Sequence, residues 1–211
     1  MFQLPLVYPI LDTAILATRD CAPLDAAEGL IEGCVKILQY RHKQSWTQLE
    51  FDQAKQIAGL CREAGVLFVL NDRADFAQLL TAGLHLGQRD LPPVAARRIV
   101  PDAPMGFSTH NKPQLLRAND EPVEYLSLGP IFPTTSKLKP DPTLGVEGLR
   151  TLRPLAKKPL VAIGGINLEN AAEVIKAGAD SLAVIAALLP ERCTRSVIRK
   201  RAEEWMRLVP K

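Results

Sequence analysis

The chain has 211 residues, of which 47% are hydrophobic and 23% charged, and its net charge is +3. This composition is ordinary for a globular protein and excludes a disordered chain, and so small a charge gives no indication of nucleic-acid binding. No apolar run approaches the ~18 residues of a membrane span, the N-terminus lacks the pattern of a secretory signal, and the four cysteines form no C-x-x-C pair. We therefore expect one domain over residues 1–211, cytoplasmic, with free thiols and with neither a membrane nor a nucleic-acid partner.

Eight short apolar runs alternate with longer segments of mixed polarity. These runs predict strands at Leu6–Leu11, Val35–Gln39, Val66–Leu70, Leu84–Leu86, Pro104–Ser108, Tyr125–Leu128, Leu160–Ile163 and Ser181–Ile185. Alternation of strands and helices favours a parallel sheet with right-handed crossovers. Eight such units in 211 residues favour an α/β fold of one kind, a single (β/α)₈ TIM barrel.

Some of the intervening segments carry readable helix signals. Trp46–Ala64 is predicted to be a helix that ends at Gly65, and Asn167 is predicted to cap a helix that runs to Ala177 and ends at Gly178. The apolar residues of the first helix are predicted to share one face: Leu49, Ala54, Ile57, Ala58 and Cys61. Near the C-terminus, apolar residues recur at helical spacing among basic ones: Val197, Ile198 and Trp205.

Polar residues collect where the predicted strands end, which is the edge at which such barrels build their active sites. After the second strand, alternation aims Gln39, Arg41 and Lys43 to one side. Two cations beside an amide suit a phosphate or pyrophosphate group, because Arg binds it as a fork and Lys as a point charge. A basic loop without a ligand is the alternative at this position.

Two aspartates follow the next two strands. Asp72 comes directly after Asn71 at the end of the third strand, and Asp90 comes shortly after the fourth. Carboxylates that converge from adjacent strand ends suit Mg²⁺, which prefers oxygen ligands and often shares them with substrate phosphates. For either aspartate alone, capping of the next helix is the alternative, and Asp90, directly before Leu91 and Pro92, fits that alternative well.

The fifth strand leads into a hydroxyl and an imidazole. Ser108 and His110 can orient a polar substrate at a barrel mouth, with a loop cap as the alternative for His110. His85, at the end of the fourth strand, fits a structural histidine at least as well as a catalytic one.

The sixth strand leads into a long segment with two hydroxyls and a cation. Thr134, Ser136 and Lys137 suit a lid that closes over an anionic group and excludes water. The alternative is a rigid, proline-rich surface turn.

The last two strands lead into a pattern that binds phosphate in many barrels. Gly164 and Gly165 follow the seventh strand before Asn167 opens a helix, and Ile185 and Ala186 close the eighth. Glycine lets backbone N–H groups approach an anion closely, and a helix N-terminus adds partial positive charge. We therefore expect a phosphate site between these two loops.

Together these segments resemble the thiamine phosphate synthase family. The matching motifs occur in the family's order and span nearly the whole chain: Gln39-x-Arg41-x-Lys43, Asn71-Asp72-Arg73, His85-Leu86-Gly87-Gln88-x-Asp90, Gly106-x-Ser108-x-His110, Gly129-Pro130-Ile131-Phe132-Pro133-Thr134-x-Ser136-Lys137 and Ala162-Ile163-Gly164-Gly165-Ile166. Each motif alone is weakly specific, but six in order are strongly specific.

The resemblance implies a transferase with Mg²⁺ as its cofactor and small molecules as its partners. Hydroxymethylpyrimidine pyrophosphate loses pyrophosphate, and the ring nitrogen of thiazole phosphate takes its place to give thiamine phosphate. In the family the step is dissociative, with a pyrimidine carbocation and pyrophosphate held together in the site. The family is often dimeric, so the resemblance also implies a possible homodimer.

The resemblance further implies a role for each matching residue. The pyrophosphate is held by Arg41, Lys43, Asn71 and Lys137, and the metal by Asp72 and Asp90. The pyrimidine contacts Gln39 and Ser108. The thiazole phosphate lies near Thr134 and Ser136 and near the backbone N–H groups of Gly165, Ile185 and Ala186. The catalytic residues on this interpretation are Arg41, Lys43, Ser108 and Lys137.

Three positions depart from the family's usual pattern. Ser136 stands where Thr is common, which keeps the hydroxyl. Ala186 stands where Ser is common, which removes a hydrogen bond worth ~1 kcal/mol. Pro9 stands in a first strand that also lacks the family's Thr, next to the expected pyrimidine end of the pocket.

Three other functions compete with a synthase. A related thiazole tautomerase would bind thiazole phosphate without needing the pyrophosphate and metal residues, and a non-catalytic barrel would bind ligands without turnover. An aldolase would need a Schiff-base lysine at a strand end, and neither Lys36 nor Lys158 is well placed for one.

Overall fold

The computed structural model describes residues 2–134 and 141–208. Eight parallel strands each pair with the next in chain order, and the eighth pairs with the first, so the sheet closes into a barrel. The strands are β1 (Val7–Asp12), β2 (Ile37–Arg41), β3 (Leu67–Asn71), β4 (Gly83–Leu86), β5 (Met105–Thr109), β6 (Tyr125–Leu128), β7 (Leu160–Ile163) and β8 (Ser181–Val184). The predicted TIM barrel is confirmed, with strand ends within two residues of those expected.

Helices connect the strands on the outside of the barrel. They are α1 (Thr13–Thr18), α2 (Pro23–Glu32), α3 (Gln48–Glu63), α4 (Ala74–Leu80), α5 (Pro93–Ile99), α6 (Lys112–Ala118), α7 (Gly145–Leu152), α8 (Ala171–Lys176) and α9 (Arg195–Met206), with a 3₁₀ turn at Arg153–Leu155. Their apolar faces pack on the outward-facing strand residues and form the larger of two hydrophobic clusters. None of the helices in the described part of the chain combines the length and the apolar character of a membrane span.

The barrel interior is apolar at its N-terminal end and polar at its C-terminal end. Inward-facing apolar side chains form the smaller cluster, which includes Tyr8, Ile10, Ile37, Val69, Tyr125, Val161 and Ala183. Further along the strands, the ladder pairs polar residues on neighbouring strands: Asp12 with Arg41, Asn71 with His85, and Ser108 with Ser127. The strand pairing therefore brings the polar residues together at the end of the barrel where the sequence predicts a site.

Two details of the helix predictions are wrong. Leu49 does not share the buried face of α3, since its side chain is 71% exposed while Ala54, Ile57 and Cys61 are fully buried. At 3.6 residues per turn, Leu49 lies roughly 140° around the helix from Ala54. Its backbone N–H donates to the hydroxyl of Thr47, which caps the helix in a capping box with Glu50.

Asn167 does not cap the helix after β7. Its side chain accepts hydrogen bonds from the backbone N–H groups of Glu169 and Asn170, at 2.9 and 3.1 Å, and so closes a separate turn before α8 begins at Ala171. The predicted end of this helix is confirmed, because Ala177 is the C-cap and Gly178 follows with a φ of 102°.

The C-terminal helix α9 packs against α2. Trp205 and Ile198 are fully buried, and a Cβ at Gly33 would lie 2.3 Å from the Cβ of Ala202. Arg195 forms ion pairs with two glutamates of α2, Glu28 and Glu32. The helical spacing predicted for this segment is confirmed.

Candidate functional site

The end of β1 holds the end of β2 through an ion pair. Asp12 is 1% exposed, and its Oδ1 accepts hydrogen bonds from the backbone N–H groups of Ala14 and Ile15 at the start of α1. Its other oxygen pairs with the guanidinium of Arg41, whose side chain is 17% exposed. Because the carboxylate is fixed by the helix that it caps, it fixes Arg41 at the barrel mouth in turn.

The second predicted cation also pairs with an aspartate. Lys43 forms an ion pair with Oδ2 of Asp72, and the Lys43 side chain is 46% exposed. Asp72 adopts a left-handed backbone conformation with a φ of 69°, which is uncommon for a residue other than glycine. Its backbone N–H bonds to the carbonyl of His85 at 2.9 Å, so this turn is anchored to the neighbouring strand.

Neither aspartate of the predicted metal site caps a helix, so that alternative is wrong. The cap positions of α4 and α5 are Arg73 and Pro92, and neither makes a side-chain capping bond. Oδ2 of Asp90 instead accepts the backbone N–H of Gly87 at 2.7 Å and closes the loop after β4.

The carboxyl groups of Asp72 and Asp90 interact, and each influences the pKa of the other. The pKa of Asp72 is raised to about 6, with burial as the largest cause, the neighbouring Asp90 as a second, and Lys43 opposing both. Burial also acts to raise the pKa of Asp90, but its interaction with the Asp72 carboxyl, its hydrogen bond from the N–H of Gly87 and the charge of Lys43 bring this pKa below its usual value. Two carboxylates at this spacing repel each other unless a proton or a cation lies between them.

Two buried polar atoms beside this pair have no hydrogen-bond partner within the described residues, Oδ1 of Asp72 and Nδ2 of Asn71. An unsatisfied buried polar atom is costly, so such atoms at a barrel mouth are candidates for a bond to a ligand. A carboxylate oxygen suits a hard cation, and an amide N–H suits a phosphate oxygen. No group of three or more His, Cys, Asp or Glu side chains in the described part of the chain forms a larger metal centre.

The predicted pyrimidine residues lie on the inner wall of the barrel. Gln39 is 2% exposed and donates through Nε2 to the hydroxyl of Tyr8 at 3.0 Å. Ser108 lies 2.9 Å from Nε2 of His85 and 3.2 Å from the hydroxyl of Ser127. His85 is thus buried and hydrogen-bonded, which agrees with the structural alternative, although it contacts a predicted site residue directly.

His110 holds the loop that follows β6. Its Nδ1 lies 2.6 Å from the carbonyl oxygen of Gly129 and 3.6 Å from Oδ2 of Asp141. These partners lie on either side of residues 135–140. The loop-holding alternative therefore describes His110 better than direct substrate contact.

The two glycines after β7 allow close packing against the loop after β6. Gly164 and Gly165 have φ values of 103° and 64°. A Cβ on Gly165 would lie 2.6 Å from the Cβ of Phe132 and the carbonyl oxygen of Pro133, so only glycine fits. The predicted helix N-terminus is displaced from this site, because α8 begins only at Ala171.

The chain turns immediately after β8. Ile185 is half-buried and Ala186 is exposed, and their carbonyls accept the N–H groups of Leu188 and Leu189. Arg19, from the loop after α1, donates to the carbonyl of Ala186 at 3.1 Å. Thr134 is half-buried at the last described position before residue 135, whereas the predicted Ser136 and Lys137 lie outside the described residues.

Neither lysine considered for Schiff-base chemistry reaches the barrel mouth. Nζ of Lys158 donates to the carbonyls of Glu121 and Val123, at 2.9 and 2.7 Å, just before β7 begins. Lys36 directly precedes β2 and lines a shallow cavity of about 520 Å³ with Phe2 and Pro5. Both lie at the N-terminal ends of strands, away from the carboxyl ends where barrel chemistry takes place.

Sequence reasoning missed three residues that hold the site. Asp12 follows the first predicted strand, and Tyr8 and Tyr125 lie within predicted strands, but none of the three is predicted as a site residue. The period of two along a strand contained the signal, because Tyr8 shares its side of β1 with Asp12, and Tyr125 shares its side of β6 with Ser127.

Comparisons with known proteins agree on one family. The family model described as thiamine monophosphate synthase matches residues 7–188. Thiamine-phosphate synthase of Koribacter versatilis is 43% identical over 98% of this chain and 97% of its own length, and that of Chloroflexus aurantiacus is 42% identical over 77% and 76%. The solved structure of thiamine phosphate pyrophosphorylase from Pyrococcus furiosus superposes with a TM-score of 0.78 at 33% identity, covering 94% of this chain and 96% of that one.

Proposed function

Because the chain belongs to the thiamine monophosphate synthase family and is an enzyme with that activity, we propose how its residues divide the reaction. The charged residues at the ends of β1 to β4 hold the pyrophosphate of one substrate. The loops after β6, β7 and β8 hold the phosphate of the other. The barrel wall between them holds the pyrimidine.

The difficult step is the departure of pyrophosphate. The bond between the pyrimidine methylene carbon and the pyrophosphate oxygen breaks, and its electron pair leaves with that oxygen. The positive charge left on carbon is then taken up by the lone pair of the thiazole nitrogen. No covalent nucleophile of the protein is needed, so catalysis rests on stabilising the charge that develops on the leaving group.

Arg41 and Lys43 supply that stabilisation. Both are paired with aspartates at the barrel mouth, Arg41 with Asp12 and Lys43 with Asp72. A guanidinium held by one carboxylate still has N–H groups to donate to phosphate oxygens. Nδ2 of Asn71 adds a donor, and Lys137 is proposed to add a second lysine from the loop after β6.

The carboxylate pair suits magnesium. Asp72 and Asp90 are proposed as its ligands, because Oδ1 of Asp72 is buried without a hydrogen-bond partner among the described residues and the two carboxyl groups repel each other when both are ionised. Mg²⁺ is typically held by one or two carboxylates, with water and substrate phosphate as its other ligands, and it neutralises charge on the departing oxygens.

The second substrate is proposed to bind beside the glycine pair. The backbone N–H groups of Gly165, Ile185 and Ala186 and the hydroxyls of Thr134 and Ser136 are its phosphate ligands. Ser108 and Gln39 hold the pyrimidine within reach of the thiazole nitrogen, which makes the joining step effectively unimolecular.

One observation carries the proposal most strongly. Arg41, Lys43, Asn71, Asp72 and Asp90 come from three adjacent strand ends. Lys43 pairs with Asp72, which interacts with Asp90, and Arg41 is held at the neighbouring end of β1 by Asp12. Nδ2 of Asn71 is buried among them without a hydrogen-bond partner in the described residues. A thiazole tautomerase or a non-catalytic thiazole phosphate binder would not need this set.

The direct test is turnover of the purified protein with hydroxymethylpyrimidine pyrophosphate, thiazole phosphate and Mg²⁺. Thiamine phosphate is read by fluorescence after oxidation. We expect product only when all three are present, loss of product with excess EDTA, and recovery when Mg²⁺ is restored. Tight binding of thiazole phosphate without product would contradict the proposal and favour a tautomerase or a binder.

A homodimer remains a prediction, which sedimentation of the same sample would test.

A further inference from the structure

A chain of hydrogen bonds crosses the barrel interior from Gln39 to Ser108. Nε2 of Gln39 donates to the Tyr8 hydroxyl at 3.0 Å, and that hydroxyl lies 2.7 Å from the hydroxyl of Tyr125. The Tyr125 hydroxyl lies 3.2 Å from Nδ1 of His85, and Nε2 of His85 lies 2.9 Å from Oγ of Ser108. Three intervening side chains thus connect the two residues that the proposed function assigns to the pyrimidine.

The barrel is built to accommodate these three side chains. Tyr8 and Tyr125 are at most 1% exposed, and His85 is 8% exposed. A Cβ on Gly106 would lie 2.2 Å from the Tyr125 ring and 2.6 Å from Nδ1 of His85, so glycine at this position makes room for their contact. The rings of His85 and Tyr125 stack at 5.7 Å between centroids.

The proton direction along the chain follows from its first bond. Burial raises the pKa of both Tyr8 and Tyr125, so each hydroxyl keeps one proton to donate. The Tyr8 oxygen accepts from Gln39, so its proton goes to Tyr125, and the Tyr125 proton goes to Nδ1 of His85. His85 is then the neutral tautomer with its proton on Nε2, which donates to Ser108.

We propose that Tyr8, Tyr125 and His85 are positioning residues. They determine which end of the hydrogen-bond chain, Gln39 or Ser108, presents an acceptor to the ligand and which presents a donor. Gln39, committed through its N–H, presents its amide oxygen. Ser108 accepts from His85, so its own hydroxyl proton is what it can donate, either to Oγ of Ser127 at 3.2 Å or to a ligand nitrogen that replaces this partner. This inference rests on the proposed function, in which the ligand between them is an aminopyrimidine.

That polarity matches the edge of an aminopyrimidine. The amino group donates and the adjacent ring nitrogen accepts, so it pairs with an acceptor at Gln39 and a donor at Ser108. The corresponding 4-oxo pyrimidine presents the reverse, a carbonyl acceptor beside a ring N–H donor. The hydrogen-bond chain therefore allows the site to select the amino form. Reversing the donor and acceptor roles at one end would require reversing every hydrogen bond between Gln39 and Ser108.

Binding of two matched analogues tests this inference. The probes are the amino and 4-oxo pyrimidine pyrophosphates in which a methylene replaces the oxygen that joins the pyrimidine methylene carbon to the first phosphorus. Pyrophosphate therefore cannot leave. Their Kd values are compared for the wild type, Tyr8→Phe and Tyr125→Phe. Tyr40→Phe is the matched control, because Tyr40 is a buried tyrosine on β2 whose hydroxyl donates to Gln53 at 2.8 Å, outside the barrel.

We expect the wild type and Tyr40→Phe to bind the amino analogue at least about tenfold more tightly than the 4-oxo analogue. Tyr8→Phe and Tyr125→Phe should lose most of that preference while retaining the wild-type Kd for inorganic pyrophosphate, which a general structural defect would not spare. Variants that discriminate like the wild type would overturn the inference, and so would a wild type that prefers the 4-oxo analogue. A wild type that binds neither analogue and makes no thiamine phosphate would instead contradict the proposed function.

Discussion

At the scale of single residues, the charged groups of the site are held by partners that lie far away in the sequence. Arg41, Lys43 and Asp72 stand directly at or after strand ends, where local sequence identifies them. Asp12 matters because it pairs with Arg41, which is 29 positions away in the sequence. Tyr125 matters because its hydroxyl contacts that of Tyr8, which is 117 positions away. Sequence periodicity gives the direction of a side chain but not its partner across the barrel.

Asp12 has two roles, as the cap of α1 and as the ion-pair partner of Arg41, and different substitutions remove one or both of them. Asp12→Asn keeps a good helix cap but removes the charge that holds Arg41, so we expect the wild-type melting temperature and a roughly tenfold weaker affinity for pyrophosphate. Asp12→Ala removes both, and should also lower the free energy of unfolding by about 1 kcal/mol. Thermal melting and calorimetric titration with pyrophosphate measure the two effects. Equal pyrophosphate affinity in Asp12→Asn and the wild type would show that the ion pair does not position Arg41.

At the scale of secondary structure, the periodic signals were reliable and the ends of elements were less so. All eight strands formed where short apolar runs predicted them, because burial on both faces requires such runs in a parallel sheet. Leu49 and Asn167 were misplaced for local reasons. Leu49 lies in the first helical turn, where Thr47 and Glu50 determine how the helix begins, and Asn167 satisfies the backbone of its own turn.

The loop after β7 depends on glycine for its packing. Gly165→Ala would force a Cβ against Phe132 and Pro133 at a φ of 64°, so we expect a loss of about 1–3 kcal/mol in stability and a raised KM for thiazole phosphate. Gly59→Ala is the control, because nothing lies within 4 Å of the added Cβ in α3, and it should stabilise by about 0.5–1 kcal/mol. Chemical denaturation and substrate titrations measure both. A Gly165→Ala variant with unchanged stability and KM would refute the packing argument.

At the scale of the whole molecule, α9 packs against α2 on the outside of the barrel. It lies beyond residue 188, where the family model ends, yet its Trp205 is fully buried and its Arg195 pairs with Glu28 and Glu32 of α2. The sequence predicted an amphipathic helix here but could not identify its partner, since that contact joins the two ends of the chain. We therefore propose that residues 1–211 unfold as one domain.

Trp205→Ala tests that proposal. Truncation of a fully buried tryptophan should cost about 3–5 kcal/mol, which lowers the melting temperature by roughly 6–20 °C in a chain of this size. Arg199→Ala removes only an exposed pair with Glu203 and should change stability by less than about 0.5 kcal/mol. Calorimetry should give a single transition for each. A barrel transition unchanged by Trp205→Ala would mean that α9 folds independently of it.

Asp72 and Asp90 are proposed to recruit magnesium, which holds pyrophosphate together with Arg41 and Lys43. Asp72→Asn is the sharpest variant, because asparagine tolerates the left-handed conformation at this position and the backbone should not change. The measurement is calorimetric binding of pyrophosphate with Mg²⁺ and with EDTA, in the wild type and in this variant. We predict that Mg²⁺ strengthens binding to the wild type by about 100-fold or more and that Asp72→Asn loses most of this gain. Equal wild-type affinity with Mg²⁺ and with EDTA, or a full magnesium effect in Asp72→Asn, would contradict the account.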